Sequence, residues 1–150
     1  MVREILVVPH PVLRKKALPV KKITKKTRRI LEDMAETMYA NNGVGLAAPQ
    51  IGISERLITV DTGDGLISLI NPVLVASAGQ ERDVEGCLSI PGQSGYVTRA
   101  ARVVVEGLDP EGQKKKIEAE GLLARALQHE IDHLDGILYT DHLKDGKEAK

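Results

Sequence analysis

His129, Glu130 and His133 stand in the order His-Glu-x-x-His, inside Gln128-His129-Glu130-Ile131-Asp132-His133-Leu134-Asp135-Gly136. On an α-helix, residues four apart sit one turn above each other with Cβ atoms roughly 5 to 6 Å apart, so the two imidazoles can converge on one divalent ion. Glu130 is rotated by about 100° from His129 around the helix, which puts its carboxylate beside such an ion, within reach of a water, rather than among the ligands. The same pattern also arises by chance on exposed helices, and a third ligand is what separates the two cases, because a catalytic site needs three protein ligands and one open position. A metzincin would carry histidine at position 139, where this chain has Tyr139; a thermolysin-like enzyme takes a glutamate from a later helix, and only Glu148 in a charged tail remains. The missing ligand must lie upstream.

The chain has one cysteine, Cys87, in Glu85-Gly86-Cys87-Leu88-Ser89-Ile90-Pro91. A lone cysteine is commonly a small buried hydrophobe, but a thiolate is also a strong ligand for divalent transition metals. Flanked by Gly86, in a chain short of a ligand, Cys87 becomes the candidate. A third stretch, Gly43-Val44-Gly45-Leu46-Ala47-Ala48-Pro49-Gln50, is too rich in small residues for an ordinary strand. Its glycines let backbone approach a ligand closely, and Gln50 offers an amide donor if it faces the ion; the plain alternative is a tight loop with a surface glutamine. The dinucleotide-loop pattern is incomplete there and no strand precedes it.

The elements that must position these residues can be read from periodicity. From Gly121, the apolar positions Leu122, Leu123, Ala126, Leu127, Ile131 and Leu134 recur at helical spacing up to Gly136, an amphipathic helix that carries both histidines. Thr24 caps a second helix running to about Asn42, with Ile30, Leu31, Met34, Ala35, Met38 and Tyr39 as its apolar face. The short run Ile5 to Val8 is β-like and is stopped by Pro9-His10-Pro11, where His10 reads as a turn residue. Between the helices the period shortens to that of strands: 57–60, 67–74 broken at Asn71-Pro72, 80–88, 96–108 and 115–120, separated by Gly, Asp and Pro turns. The predicted class is α+β: short antiparallel strands and turns around a C-terminal metal-binding helix, with a second long helix near the N-terminus. Residues 145–150 read as a polar, frayed tail.

At 150 residues, one domain is expected, large enough to bury a core without disulfides. Lys plus Arg and Asp plus Glu balance at 21 each, which leaves no electrostatic case for DNA or an anionic membrane as the main partner. With no Trp or Phe and only three Tyr, the core is expected to be aliphatic and base-stacking platforms are not expected. Lys21, Lys22, Lys25, Lys26, Arg28 and Arg29 are compatible with RNA contact but read as a solvated helix face. No apolar run approaches the roughly 20 residues needed to span a bilayer, and the N-terminal apolar run is too short for a signal peptide. With its single free cysteine, the chain is expected in a reducing compartment, the cytoplasm.

Taken together and in order, the motifs 43–50, 85–89 and 128–133 resemble those of peptide deformylase, and the resemblance covers nearly the whole chain. It implies a metal-dependent hydrolase that removes the N-formyl group from the N-terminal methionine of newly made proteins and releases formate. It implies that Cys87, His129 and His133 hold the ion, iron(II) natively, with zinc, nickel or cobalt able to substitute. It further implies that Glu130 is the base and then the acid, that Gln50 and the backbone N–H of Leu88 bind the formyl oxygen, and that Gly45 pairs with the substrate backbone. The methionine side chain would sit among Gly43, Val44, Leu122, Arg125 and Ala126. The implied partners are N-formylmethionyl nascent polypeptides and the ribosome near its exit tunnel. Two rivals are a small metallopeptidase with the same site and an inactive homologue that binds nascent chains or ribosomes through its basic helix.

Overall fold

The computed structural model describes residues 1–143, so the tail expected from Asp145 onward, with Glu148, lies outside the described residues. Helix α1 spans Lys25–Ala40 and opens on a reciprocal cap. The Thr24 hydroxyl accepts the Thr27 N–H at 3.3 Å while the Thr24 N–H donates to the Thr27 hydroxyl at 3.2 Å, which satisfies amide donors the helix itself leaves open. Its face Ile30, Leu31, Met34, Ala35 and Met38 is buried. Tyr39, expected on that face, is 49% exposed and donates to Asp61 at 2.6 Å, whereas Tyr139 is the tyrosine that enters the core expected to be aliphatic. The helix also ends earlier than expected, because Asn41 takes the cap and Asn42 turns the chain with a φ of 56°.

Strands β1 (Gly45–Ala47), β2 (Leu57–Val60), β3 (Ile67–Ala78), β6 (Arg102–Leu108) and β7 (Lys114–Glu120) form one antiparallel sheet in the order β1-β2-β3-β6-β7, while β4 (Glu81–Cys87) and β5 (Ile90–Arg99) form a separate hairpin. Several boundaries differ from the sequence reading. The small-residue stretch contains a strand after all, β1, because β2 supplies its ladder. Asn71-Pro72 does not break β3: Asn71 adopts a φ of 53° and the register shifts there, absorbing the proline as a bulge. The single strand expected over 96–108 is two, divided at Ala100-Ala101 where the chain passes from hairpin to sheet. Residues 5–8 form no strand.

Helix α2, Gly121–Leu134, lies against the sheet. Ala126, Leu127 and Leu134 share a buried cluster with Ala47, Ile58, Val60, Leu69, Val103 and Val105, whereas Leu46, Leu57 and Ile70 pack with the apolar face of α1. Alternate residues of a strand point to opposite faces, so β1 and β2 are covered by a helix on each side, and all four residues of β2 are buried. The C-terminal carbonyl of α2 at Leu134 accepts Ala17 N–H at 2.7 Å and Arg56 Nη1 at 3.0 Å. Gly136 then turns the chain with a φ of 74°, 2.5 Å from the Arg14 carbonyl oxygen at the point where a Cβ would stand. The histidine-bearing helix is thereby held along its length and at its end.

Candidate metal centre

Helix α2 presents His129 and His133 one turn apart, with ring centroids separated by 5.0 Å and both side chains buried. Cys87 closes β4, and the Leu88-Ser89 turn of the hairpin brings its sulfur to 3.2 Å from His133 Nε2. One donor atom from each of Cys87, His129 and His133 lies within 4.8 Å of the other two. Metal–ligand bonds of about 2.0 to 2.3 Å in a tetrahedral site separate donor atoms by roughly 3.3 to 3.8 Å, a span this cluster accommodates. One sulfur and two imidazole nitrogens suit zinc, iron, cobalt or nickel, not magnesium or calcium.

Glu85 orients the cluster from behind. Its Oε1 accepts from His129 Nδ1 at 2.9 Å and Arg99 Nη2 at 2.9 Å, and its Oε2 accepts from Arg99 Nε at 2.5 Å and Arg125 Nη1 at 2.7 Å. With Nδ1 engaged as a donor, the His129 lone pair is on Nε2, the tautomer a metal ligand requires. Burial by itself would push the Glu85 carboxyl up, but the hydrogen bonds from His129 and Arg99 outweigh it and hold it at about 2. Burial works against a charged His129 as well, yet the adjoining Cys87 and Glu85 raise it to about 10. Groups that favour a proton there equally favour a cation. His133 is pushed well below its ordinary value, first by burial and then by repulsion from His129.

Glu130 lines the same cleft as Cys87 and His129. Its carboxylate is buried, Oε1 has no hydrogen-bond partner, and burial pushes it up to about 7. A Cβ on Gly45 would lie 2.5 Å from Glu130 Oε2, so the absence of a side chain at 45 is what lets β1 pass beside the acid. Gln50 is buried, not a surface residue: its Oε1 accepts Ala47 N–H at 2.9 Å, and its Nε2 donates to Ser89 Oγ at 3.1 Å and lies 3.7 Å from the Cys87 sulfur.

The sequence profile described as Polypeptide deformylase matches residues 2–149. The chain belongs to that family. It is 56% identical over 140 residues to the peptide deformylase of Carboxydothermus hydrogenoformans, covering 93% of this chain and 92% of the relative. To that of Desulfitobacterium hafniense it is 54% identical over 141 residues, covering 94% of each. The crystal structure of peptide deformylase from Thermotoga maritima superposes with a TM-score of 0.93 at 41% identity, over 96% of this chain and 99% of that one. That of Ehrlichia chaffeensis in complex with actinonin gives 0.95 at 38% identity, over 97% and 91%. Peptide deformylases are metal-dependent hydrolases that remove the N-formyl group from newly made polypeptides, and this chain is such an enzyme.

In this deformylase a cleft of about 600 Å³ opens onto Cys87 and His129. Gly43, Val44, Gly45, Gln50, Cys87, Leu88, Leu122, Arg125, Ala126, His129 and Glu130 all line it, and His133 is buried. Val44 and Leu122 are 43% and 54% exposed at its mouth. Arg125 lines the cleft as well, but its guanidinium is tied to Glu85, to the Val97 carbonyl at 2.9 Å and to the Glu81 carbonyl at 2.8 Å.

Sequence reasoning assigned no role to Glu85, Ser89, Arg99, Asp132 or Gln128. Glu85 carried a readable signal: residues 85 and 87 of a regular strand share a face, so an acid two places before the candidate cysteine lies near the same cluster, and it does so here across a register shift. Gln128 clamps α2 to the turn after β5, its Nε2 donating to the Ala100 carbonyl at 2.9 Å and its Oε1 accepting Ala100 N–H at 3.1 Å. Arg99, which bridges Glu85 and Asp132 with Nη1 to Asp132 at 2.8 Å, had no local signal. Its partners lie 14 residues back and 33 residues ahead.

Proposed function

We propose that residues 1–150 form one catalytic domain in which Cys87, His129 and His133 hold iron(II), with zinc, nickel or cobalt able to take its place. Glu130 and Gln50 are proposed to act on the formyl group. The observation that carries this reading is the convergence of the three ligands with a buried, unpaired carboxylate at the inner end of one cleft. A divalent ion in that position supplies the positive charge that makes a water nucleophilic near neutral pH and polarises the formyl carbonyl.

The chain's own groups do the rest. Glu130 takes the proton of the attacking water and returns it to the leaving amine; burial, which raises its carboxyl, favours its taking up that proton. The Gln50 Nε2–H and the Leu88 N–H face the oxygen on which charge develops. Gly45 offers its backbone at the edge of β1 to an extended substrate, and Gly43, Val44, Leu122, Arg125 and Ala126 surround the methionine side chain.

Iron(II) as the working metal follows from the family resemblance, and the sulfur-and-imidazole donor set is compatible with it. The substrates are N-formylmethionyl nascent chains, met in the cytoplasm close to the ribosomal exit tunnel. The solvent-exposed Lys25, Lys26 and Arg29 offer a surface for ribosomal contact. The test is to incubate metal-loaded protein with a formyl-Met peptide and its unformylated counterpart and to measure formate. Formate from the first and no cleavage of the second is expected; cleavage of internal bonds in both identifies a metallopeptidase instead.

A further inference from the structure

A buried glutamine can act as a hydrogen-bond donor in catalysis only if its amide is held the right way round and at the right angle. Gln50 is 1% exposed and Ser89 0%. The Ala47 N–H at Gln50 Oε1 selects which end faces inward, since a flipped amide would set donor against donor. That contact leaves the angle of the NH2 group open. The Ser89 hydroxyl accepts one Nε2–H at 3.1 Å, and the other is donated to the Cys87 sulfur at 3.7 Å, a long bond to a weak acceptor on the side of the cleft, which a carbonyl oxygen entering there can replace.

The backbones of both residues are held by one segment. Leu6 N–H donates to the Gln50 carbonyl at 2.8 Å and Val8 N–H to the Ser89 carbonyl at 2.9 Å. Alternate residues of an extended chain point their amides to the same side, so the β-like run before Pro9, which joins no sheet, staples the Gln50 turn to the hairpin turn of Leu88 and Ser89.

We propose that Ser89 is a positioning residue for deformylation: its hydroxyl, fixed with Gln50 by the Leu6–Val8 staple, aims the second Gln50 Nε2–H at the formyl oxygen. The proposal rests on Gln50 being a donor to that oxygen. Ser89→Ala should lower kcat by about tenfold, less than loss of the whole donor, with KM within about twofold and metal content unchanged. Ser89→Thr, which restores a hydroxyl, should recover most of the loss. In a Gln50→Ala background, Ser89→Ala should cost nothing further, whereas a structural role would cost the same in both backgrounds.

A second readout is independent of turnover. In zinc-loaded protein the Gln50 side-chain NH2 should give two resolved, exchange-protected NMR lines, and Ser89→Ala should speed their exchange with solvent. A protected pair in Ser89→Ala while Gln50→Ala is crippled overturns the proposal. Full kcat in Gln50→Ala overturns the reading of Gln50 itself and, with it, the catalytic consequence proposed for Ser89.

Discussion

Replacing Glu85 by glutamine probes the joint between the two halves of the metal site. The carboxylate accepts four N–H groups, from His129, Arg125 and twice from Arg99. An amide of the same shape accepts on one oxygen only and turns its NH2 toward a guanidinium. Arg99 keeps Asp132 and Arg125 keeps two carbonyls, but both cations are buried and lose their shared counter-charge. Removing one partner of a buried ion pair costs about 3 to 5 kcal/mol. Titration leads to a similar figure: the fall of the Glu85 carboxyl from 4.5 to about 2 corresponds to roughly 3 kcal/mol. Because the folded value is depressed, this stability is complete above pH 4.5 and is lost as pH falls toward about 2.

Urea unfolding of metal-stripped wild type and Glu85→Gln at pH 7, then at steps down to about pH 3, separates the contributions. The variant should be less stable at neutral pH by about 3 kcal/mol and should lack the part of the acid slope that belongs to Glu85. Chelator competition should also find its metal affinity weaker by about 10- to 100-fold, since His129 Nδ1 loses its anionic acceptor. Equal stability at pH 7, or an unaltered acid slope, would refute the reasoning.

Glu130→Gln should fold and bind metal normally yet lose at least about 10²-fold in kcat; a variant with most of its turnover would remove Glu130 from the mechanism. Gly45→Ala places a Cβ 2.5 Å from Glu130 Oε2, so it should cost about 1 to 3 kcal/mol in stability and displace the base, read as a fall in kcat alongside a lower unfolding midpoint. The iron(II) form should lose activity in air faster than the zinc or nickel form, because both the metal and the Cys87 sulfur can be oxidised. Equal half-lives would argue against iron as the working metal.

The elements with strong local rules were legible before any coordinates. The α2 periodicity and the four-residue spacing of its histidines are consequences of helical geometry alone, and α1 announced itself through Thr24 and one apolar face. Strand limits were less legible, since a ladder depends on a partner: β1 exists because β2 pairs with it, and β3 runs through Asn71-Pro72 because the sheet tolerates a bulge. Tyr39 obeyed the helical period but not the core, since its hydroxyl found Asp61. The same contrast holds at the site. Cys87 was reachable by counting ligands, while burial of Gln50 depended on elements distant in the chain.

By itself, then, the sequence marked the three candidate donor residues that the fold brings together, the helix that carries two of them, and the class of chemistry, because side-chain type and local spacing travel with the chain. The tertiary structure alone decided the tautomer of His129, the raised carboxyl of Glu130 and the orientation of the buried Gln50 amide. The Glu130 carboxyl depends on burial, and the other two on hydrogen bonds between groups 39 and 44 residues apart, Ser89 with Gln50 and Glu85 with His129, which exist only once the hairpin is folded.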